Sequence, residues 1–215
     1  MILKRLKLNI GDSHITNCYI IEDEATHEMM IVDPGGEPEK VIEMVRILGG
    51  TVKYIVLTHC HADHIGGVTR VKEAVGGKVL IHRDDIAGLS NTELSLEYVL
   101  GLKKVVTKAD SRLDDGDVIH VGELEFRIIH TPGHTKGGIC LYCEQEKLLL
   151  SGDTLFRGTW GRTDLPTGSS KDIMQSITNK LLVLPEDTIV YPGHGKSTMI
   201  REEEPIYFGL QPRKE

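Results

Sequence analysis

The sequence has few cysteines: four in 215 residues, Cys18, Cys60, Cys140 and Cys143. This number is too small for a disulfide scaffold in a chain of this length. Cys140 and Cys143 form a C-x-x-C pair, but the surrounding GGICLYCEQ is typical of a β-strand, in which side chains three positions apart point to opposite faces. Because no second C-x-x-C completes a tetrahedral zinc set, we expect ordinary buried cysteines there.

The chain also lacks an excess of positive charge and any long apolar run. Its formal net charge is −7 at pH 7, and it has no cluster of Lys and Arg of the kind that neutralises phosphates. No apolar stretch approaches the roughly 20 residues of a membrane span, and MILKRLKLNI has charges where a signal peptide has an unbroken apolar region. We therefore expect a cytoplasmic protein that binds neither nucleic acid nor membrane.

Strand-like and helix-like segments alternate, and no repeat or linker divides the chain, so we expect one domain over residues 1–215. A helix is predicted in EPEKVIEMVRILGG, with Pro38 in its first turn and Gly49 as its stop. A second is predicted in HIGGVTRVKEAVGG, beginning near Asp63 or His64, and a third in KDIMQSITNKLLVL. A hairpin turn, GE, is predicted between DVIHV and LEFRII. The predicted strands are YIVLT, KVLIH, LEFRIIH, GICLYC, KLLLS and TIVYP.

Side chains that bind metals follow four of these strands. His59 follows YIVLT, His134 follows FRIIHTPG, Asp153 follows KLLLSG and His194 follows TIVYPG. Loops at strand ends are where a rigid sheet presents functional groups. We therefore expect four strands to direct these side chains at one point.

The segment THCHADHIGG holds three of the ten histidines. His59 and His61 are two positions apart and can reach one metal from an extended segment, whereas Asp63 and His64 lie where the chain turns into a helix. A single buried histidine is usually a satisfied core residue, but the whole set argues against that interpretation. Imidazole and carboxylate ligands together suit Zn, Fe or Mn. The spacing indicates two metal ions rather than one.

The ordered motifs THCHADHIGG, TPGHTKGG, SGDTLF and YPGHG resemble those of the metallo-β-lactamase superfamily through nearly the whole chain. Within that superfamily, SGDTLFRGTWGRTDLPTGS is most similar to the glyoxalase II-like hydrolases, which cleave glutathione thioesters. The resemblance implies an α/β (α+β) fold, a four-layer αββα sandwich with metals at one edge of two packed sheets.

The resemblance also implies two divalent metal ions, with zinc as the first choice and iron or manganese as alternatives. His59, His61 and His134 would bind the first ion, Asp63, His64 and His194 the second, and Asp153 would bridge both. Asp63 and Asp153 would also be catalytic, with Asp63 able to orient water or move a proton. Because divalent metals lower the pKa of bound water to about 7, hydroxide attack on a polarised carbonyl needs no Ser or Cys nucleophile. Cys60 should point away, and Asp33 should support the site or its turn.

The expected substrate is a small thioester such as S-lactoylglutathione or a related hydroxyacyl thioester. The predicted substrate contacts are Trp160, the only tryptophan, which lies in the glycine-rich loop after Asp153, together with Arg162 and Lys196. Arg162 matches a lysine that holds a glutathione carboxylate in glyoxalase II, but Asp164 replaces a tyrosine and could instead pair with Arg162 or Lys171. Residues 195–215 are too few for the helical extension that grips glutathione there, so another thiol carrier, an ester or a lactone stays open.

Three other functions are compatible with parts of the sequence. A mononuclear-iron persulfide dioxygenase resembles the chain at THCHADHIGG and GRTD, and would hold its iron with one histidine of the first pair, His134 and Asp153. The complete second ligand set, including His194, favours the hydrolase. A secreted β-lactamase is disfavoured by the missing signal peptide, and a non-catalytic metal-binding module would be expected to have lost a ligand.

Overall fold

The computed structural model describes residues 1–11, 14–99 and 107–208. In this part of the chain two six-stranded sheets pack face to face, and helices cover the outer face of each sheet. Three apolar cores result, one between the sheets and one under each helical layer. The predicted four-layer αββα sandwich is confirmed, and the extent of a single domain over residues 1–215 stays a prediction.

The first sheet has its six strands in chain order, the first three antiparallel and the others parallel. They are β1 (Ile2–Ile10), β2 (His14–Glu22), β3 (Glu28–Val32), β4 (Thr51–Leu57), β5 (Lys78–His82) and β6 (Ser111–Leu113). Central strands of this sheet are buried on both faces. In β3, Met29 and Ile31 pack under the helices, whereas Met30 and Val32 contact the other sheet. This double burial explains why YIVLT and KVLIH are unbroken apolar runs.

The second sheet has the order β14-β13-β10-β9-β8-β7. Its strands are β7 (Val118–Val121), β8 (Leu124–His130), β9 (Ile139–Cys143), β10 (Leu148–Gly152), β13 (Ile189–Pro192) and β14 (Thr198–Met199). Two short strands, β11 (Leu155–Phe156) and β12 (Thr159–Trp160), form a separate antiparallel pair. The predicted hairpin between β7 and β8 is confirmed. Cys140 packs under the helices and Cys143 between the sheets, so the C-x-x-C side chains do point to opposite faces. All four cysteines are buried and free.

The helices are α1 (Pro38–Leu48), α2 (Ala62–Ile65), α3 (Val68–Val75), α4 (Thr92–Ser95), α5 (Ser170–Ser176) and α6 (Ile200–Phe208), with a 3₁₀ helix at Arg83–Leu89 and a π-helical turn at Ile177–Leu181. Helix α1 begins and ends as predicted. The single helix predicted from HIGGVTRVKEAVGG is wrong, because the chain breaks at Gly66 and Gly67. There the Gly67 amide donates to the Pro34 carbonyl at 2.9 Å, and a Cβ on Gly66 would lie 2.5 Å from the Gly35 carbonyl oxygen.

No helix among residues 1–11, 14–99 and 107–208 is long and apolar enough to cross a membrane.

Four loops meet at one edge of the sandwich. Strands β8 and β10 are both antiparallel to β9, and β10 is parallel to β13, so β8, β10 and β13 end at the same edge of their sheet. Two backbone hydrogen bonds join the sheets there, from the Ile139 amide to the Thr58 carbonyl at 2.9 Å and from the Asn17 amide to the Gly193 carbonyl at 2.7 Å. The loop after β4 is thereby held beside the loops of the second sheet.

Candidate metal centre

The seven predicted metal ligands lie together at this edge. Their ligand atoms form three overlapping groups in which all atoms are within 4.8 Å of one another. The groups are His59, His61 and His134; His59, His64 and Asp153; and Asp63, His64 and His194. We call these seven residues the His/Asp cluster. All are buried except the half-buried His194.

Asp153 occupies the middle of the His/Asp cluster. Its Oδ2 lies 3.5 Å from His134 Nε2 and 3.3 Å from His194 Nε2, and its Oδ1 lies 3.5 Å from His64 Nε2. Asp63 contacts the second ligand set only, and its Oδ2 lies 3.2 Å from His194 Nε2. The carboxylate of Asp153 therefore contacts histidines of both predicted ligand sets, which is the geometry that a bridging ligand requires.

The rings of His59 and His64 are oriented by one buried carboxylate, Asp33. Its oxygens accept hydrogen bonds from the Thr58 amide at 2.8 Å, the Thr58 hydroxyl at 2.7 Å and His64 Nδ1 at 2.9 Å. Since the Thr58 hydroxyl donates its proton to Asp33, it accepts one from His59 Nδ1, 3.1 Å away. Both histidines thus carry hydrogen on Nδ1 and direct Nε2 at the cluster. The predicted supporting role of Asp33 agrees with these contacts.

Backbone carbonyls orient two further rings in the same way. His134 Nδ1 donates to the Arg162 carbonyl at 2.7 Å, and His194 Nδ1 donates to the Ile15 carbonyl at 2.8 Å. In each case the opposite nitrogen, Nε2, is directed at the cluster. Four of the five histidines therefore have a fixed ring plane, with Nε2 toward the cluster, before any ligand binds.

The glycine Gly193 lets the loop after β13 pass against the cluster. A Cβ at this position would lie 2.2 Å from Asp153 Oδ1 and 2.7 Å from His64 Cε1. Only a residue without a side chain fits between these two groups, which explains the glycine before His194 in YPGHG.

The unpartnered atoms of the His/Asp cluster fit a divalent metal. Nε2 of His59, His61 and His134 and Oδ1 of Asp153 are buried and have no hydrogen-bond partner. A buried polar atom without a partner costs about 1–3 kcal/mol. A cation that accepted these lone pairs would remove that cost, and a mixture of imidazole and carboxylate donors suits Zn, Fe or Mn.

The charges of the cluster also favour a cation. Burial, followed by the neighbouring histidines, lowers the pKa of His59 well below its usual value and the pKa of His61 to about 3. Burial opposes protonation of His64 and His194 too, but the carboxylates, Asp153 first, outweigh it and raise both pKa values, that of His194 to about 10. Burial also opposes ionisation of Asp63 and Asp153, yet His64 and then His194 hold the pKa of each carboxyl below its usual value. Two buried anions thus attract positive charge to this point, which is supplied by protons on His64 and His194 when no metal is bound or by a cation that displaces them.

A buried carboxylate that the sequence analysis missed, Asp85, ties two of the loops together. It accepts hydrogen bonds from the Cys60 amide at 3.0 Å, the Thr135 hydroxyl at 2.8 Å and the Gly137 amide at 2.7 Å. These donors flank His61 and His134. Its position could have identified it, because Asp85 lies just beyond the apolar strand KVLIH and the metal ligands were likewise predicted just beyond apolar strands.

A cavity of about 380 Å³ opens beside the His/Asp cluster. Among the described residues, its lining consists of His14, His61, Asp63, Leu96, Val99, His134, Asp153, Phe156, Gly161, Arg162, Leu165 and His194. Of the three predicted substrate contacts, only Arg162 lies in this set. Trp160 packs against Tyr207, with ring centroids 5.7 Å apart, and Lys196 is exposed but does not line the cavity. The apolar lining residues were not anticipated from the sequence.

The guanidinium of Arg162 is already paired. Its Nε donates to Asp164 Oδ1 at 2.8 Å and its Nη2 donates to Asp164 Oδ2 at 2.7 Å, and both side chains are more than half exposed. The hydrogen bonds of this pair raise the pKa of Arg162 and lower that of Asp164 to about 2. The pairing that the sequence analysis left open is therefore the one observed.

Comparison with known proteins identifies relatives along almost the whole chain. A protein of Aquifex aeolicus is 40% identical over 188 residues, which cover 87% of this chain and 88% of the relative. The probable metallo-hydrolase YqgX of Bacillus subtilis is 34% identical over 203 residues, covering 94% and 95%. The hydroxyacylglutathione hydrolase GloC of Haemophilus influenzae is 33% identical over 190 residues, covering 87% and 89%.

Solved structures share the fold closely. BLEG-1, a B3 metallo-beta-lactamase, superposes with a TM-score of 0.87 at 36% identity, and TTHA1623 in a di-iron-bound form with a TM-score of 0.81 at 32% identity; each match covers 94% of this chain and 96% of the other. ETHE1 from Myxococcus xanthus has a TM-score of 0.78 at 27% identity, covering 99% and 93%. The family model of the metallo-beta-lactamase superfamily matches residues 11–194, a range that includes the entire His/Asp cluster. The chain therefore belongs to the metallo-beta-lactamase superfamily.

Proposed function

We propose that the chain is a binuclear metal-dependent hydrolase of thioesters, with hydroxyacyl thioesters such as S-lactoylglutathione as the first substrates to test. The observation that carries the proposal is the pair of ligand sets that share Asp153. The 33% identity to the hydroxyacylglutathione hydrolase of Haemophilus influenzae supports the substrate class. Zinc is our first choice of metal, and the similarity to a di-iron structure keeps iron as an alternative.

Divalent ions, when bound, would supply hydroxide near neutral pH and polarise the thioester carbonyl. The chain contributes the orientation of the ligands through Asp33, Thr58 and the two backbone carbonyls. Asp63 has one oxygen, Oδ2, that accepts a hydrogen bond from the Thr16 hydroxyl at 3.2 Å, and its side chain lines the cavity. From there it would orient the attacking hydroxide as a hydrogen-bond acceptor.

We predict that Cys60, the one nucleophile inside THCHADHIGG, takes no part in the reaction. Its Sγ lies 3.7 Å from the Leu94 carbonyl and packs in the core between the first sheet and its helices, away from the cluster. Replacement of Cys60 by Ala should keep hydrolysis within about threefold of the original while lowering stability by about 1 kcal/mol. Mass spectrometry during turnover checks the claim directly, since an acyl group trapped on Cys60 would contradict it.

We predict that Arg162 and Asp164 act as one unit. The sequence-based hypothesis, that Arg162 anchors a substrate carboxylate, requires Arg162→Ala to raise KM for a carboxylate-bearing thioester and to spare a neutral one. Since the guanidinium already binds Asp164, we expect instead that Arg162→Ala has a small and equal effect on charged and neutral substrates, whereas Asp164→Ala, which leaves the guanidinium unpaired, lowers KM for the charged substrate only. Steady-state kinetics of both variants decides, and a KM rise confined to the charged substrate would restore the anchor.

A second candidate function is a mononuclear-iron persulfide dioxygenase. The THCHADHIGG and GRTD motifs and the similarity to ETHE1 favour it. Protein from zinc-, iron- and manganese-supplemented cultures should be assayed both for S-lactoylglutathione hydrolysis and for oxygen consumption with glutathione persulfide. We expect hydrolysis, with metal content near two per chain.

The His194→Ala variant separates the two candidates. His194 belongs only to the second ligand set, so its loss should abolish binuclear hydrolysis but spare an iron held by His134, Asp153 and one histidine of the first pair. Oxygen consumption that survives in this variant, without hydrolysis in the original protein, would establish the dioxygenase.

A further inference from the structure

The cavity beside the His/Asp cluster has an apolar wall. Its apolar side chains are Leu96 and Val99, from the segment after α4, and Phe156 and Leu165, from the residues after β10. The ring of Phe156 meets His194 edge-on, with centroids 6.0 Å apart. Apolar surface therefore continues directly from the metal-binding groups into the cavity.

This wall is partly open to water. Val99 is 55% exposed, and Phe156 and Leu165 are partly exposed. Contiguous exposed apolar side chains at the mouth of a cavity are a feature of ligand sites, because a ligand that covers them removes apolar area from water. A cavity of this volume also falls within the usual range of small-molecule sites.

The charge of the wall is close to neutral. Among the described residues that line the cavity, Arg162 is the only lysine or arginine, and its charge is cancelled by Asp164. A substrate carboxylate placed beside Arg162 would meet the carboxylate of Asp164 as well. An uncharged hydrocarbon group meets no such opposition.

We infer that this cavity binds the apolar acyl chain of a thioester, and that the length of this chain, rather than a carboxylate on the thiol, determines substrate preference. The inference rests on the proposed hydrolase function and specifies its substrate class. The acyl carbonyl lies at the His/Asp cluster, and the carbon chain extends along Leu96, Val99, Phe156 and Leu165.

The kinetic test uses the metal-loaded protein and N-acetylcysteamine thioesters, in which the thiol is neutral. From acetyl to butanoyl, and from butanoyl to hexanoyl, kcat/KM should rise about threefold to tenfold each time, because each step adds two methylenes to a partly enclosed apolar site. Lactoyl thioesters of N-acetylcysteamine and of glutathione, compared with each other, measure the contribution of the thiol carboxylates. We expect these two to differ by less than about threefold, since Arg162 is neutralised.

A binding test is independent of turnover. Ketone analogues, in which CH₂ replaces the thioester sulfur, should bind the metal-loaded and the metal-free protein more tightly as the acyl chain lengthens, as measured by calorimetry. The variants Val99→Thr and Leu165→Asn replace apolar side chains by polar ones with the same number of heavy atoms and should flatten this dependence. Val183→Thr is the matched control, because Val183 is 69% exposed and outside the cavity lining; it should retain the full dependence.

The outcomes separate the inference from the function on which it rests. Hydrolysis of S-lactoylglutathione with no gain from longer acyl chains would overturn the inference and leave the hydrolase intact. Hydrolysis of no thioester in the panel would overturn the proposed function. Equal flattening by Val99→Thr and Val183→Thr would show that the cavity wall does not bind the chain.

Discussion

Replacement of Asp153 by Asn should reduce metal binding at both ligand sets and lower hydrolysis by more than about a hundredfold, the upper end of what the loss of one supporting group at a metal site costs. Asn has the shape of Asp, so packing is kept, but the negative charge that faces His64, His134 and His194 is lost. Metal content per chain, measured by elemental mass spectrometry after dialysis, should fall well below one.

The matched variant for Asp153 is His194→Ala, which removes a ligand from one set only. It should retain about one metal per chain, held through the buried Nε2 atoms of His59, His61 and His134. If Asp153→Asn instead retains one metal and loses only the other, the bridging assignment is wrong. A preparation of the original protein that is fully active with one metal per chain would contradict the binuclear proposal.

Replacement of Asp85 by Ala should destabilise the protein by more than about 3 kcal/mol, since three buried donors would each lose a partner at about 1–3 kcal/mol. Those donors are Cys60, Thr135 and Gly137, so the loops that carry His61 and His134 should also loosen and metal affinity should fall. Urea unfolding with and without a chelator measures the two effects separately.

The neighbouring aspartate provides the control for Asp85. Asp84 is exposed and belongs to the same 3₁₀ helix, so Asp84→Ala should change stability by less than about 0.5 kcal/mol. Asp85→Asn should be intermediate, because its amide oxygen accepts from some of the donors that a carboxylate satisfies. Equal stability of the Asp85 and Asp84 variants would exclude the tethering role.

The sequence was most informative where chemistry and burial coincide. His59, His134, Asp153 and His194 each follow an apolar strand, and strands that are buried on both faces are recognisable from composition alone. The sequence was less informative where apolar residues alternate with charged ones. In β1, Leu6, Leu8 and Ile10 are buried between exposed polar residues, a period of two that indicates a strand, yet no strand was predicted there.

Other features depend on contacts that no local pattern contains. The break at Gly66 and Gly67 arises from the backbone of residues 34–35, which is distant in sequence. The apolar wall residues Leu96 and Leu165 lie outside regular strands and helices, where no periodicity marks them. The pairing of Arg162 with Asp164 could not be predicted either, because the sequence alone allowed a contact between Arg162 and the substrate equally well.

The contact between the Ile15 carbonyl and His194 Nδ1 has a consequence for folding. It joins the first sheet to a ligand on the second, and the ligand sets likewise draw on both sheets, through His59 and His64 on one side and Asp153 and His194 on the other. The binding-competent arrangement therefore exists only when the two sheets are docked, and an ion that binds it stabilises the docked state by mass action. Separation of the sheets would break this arrangement and release a bound ion, so a higher metal concentration should raise the free energy needed to separate the two halves of the sandwich.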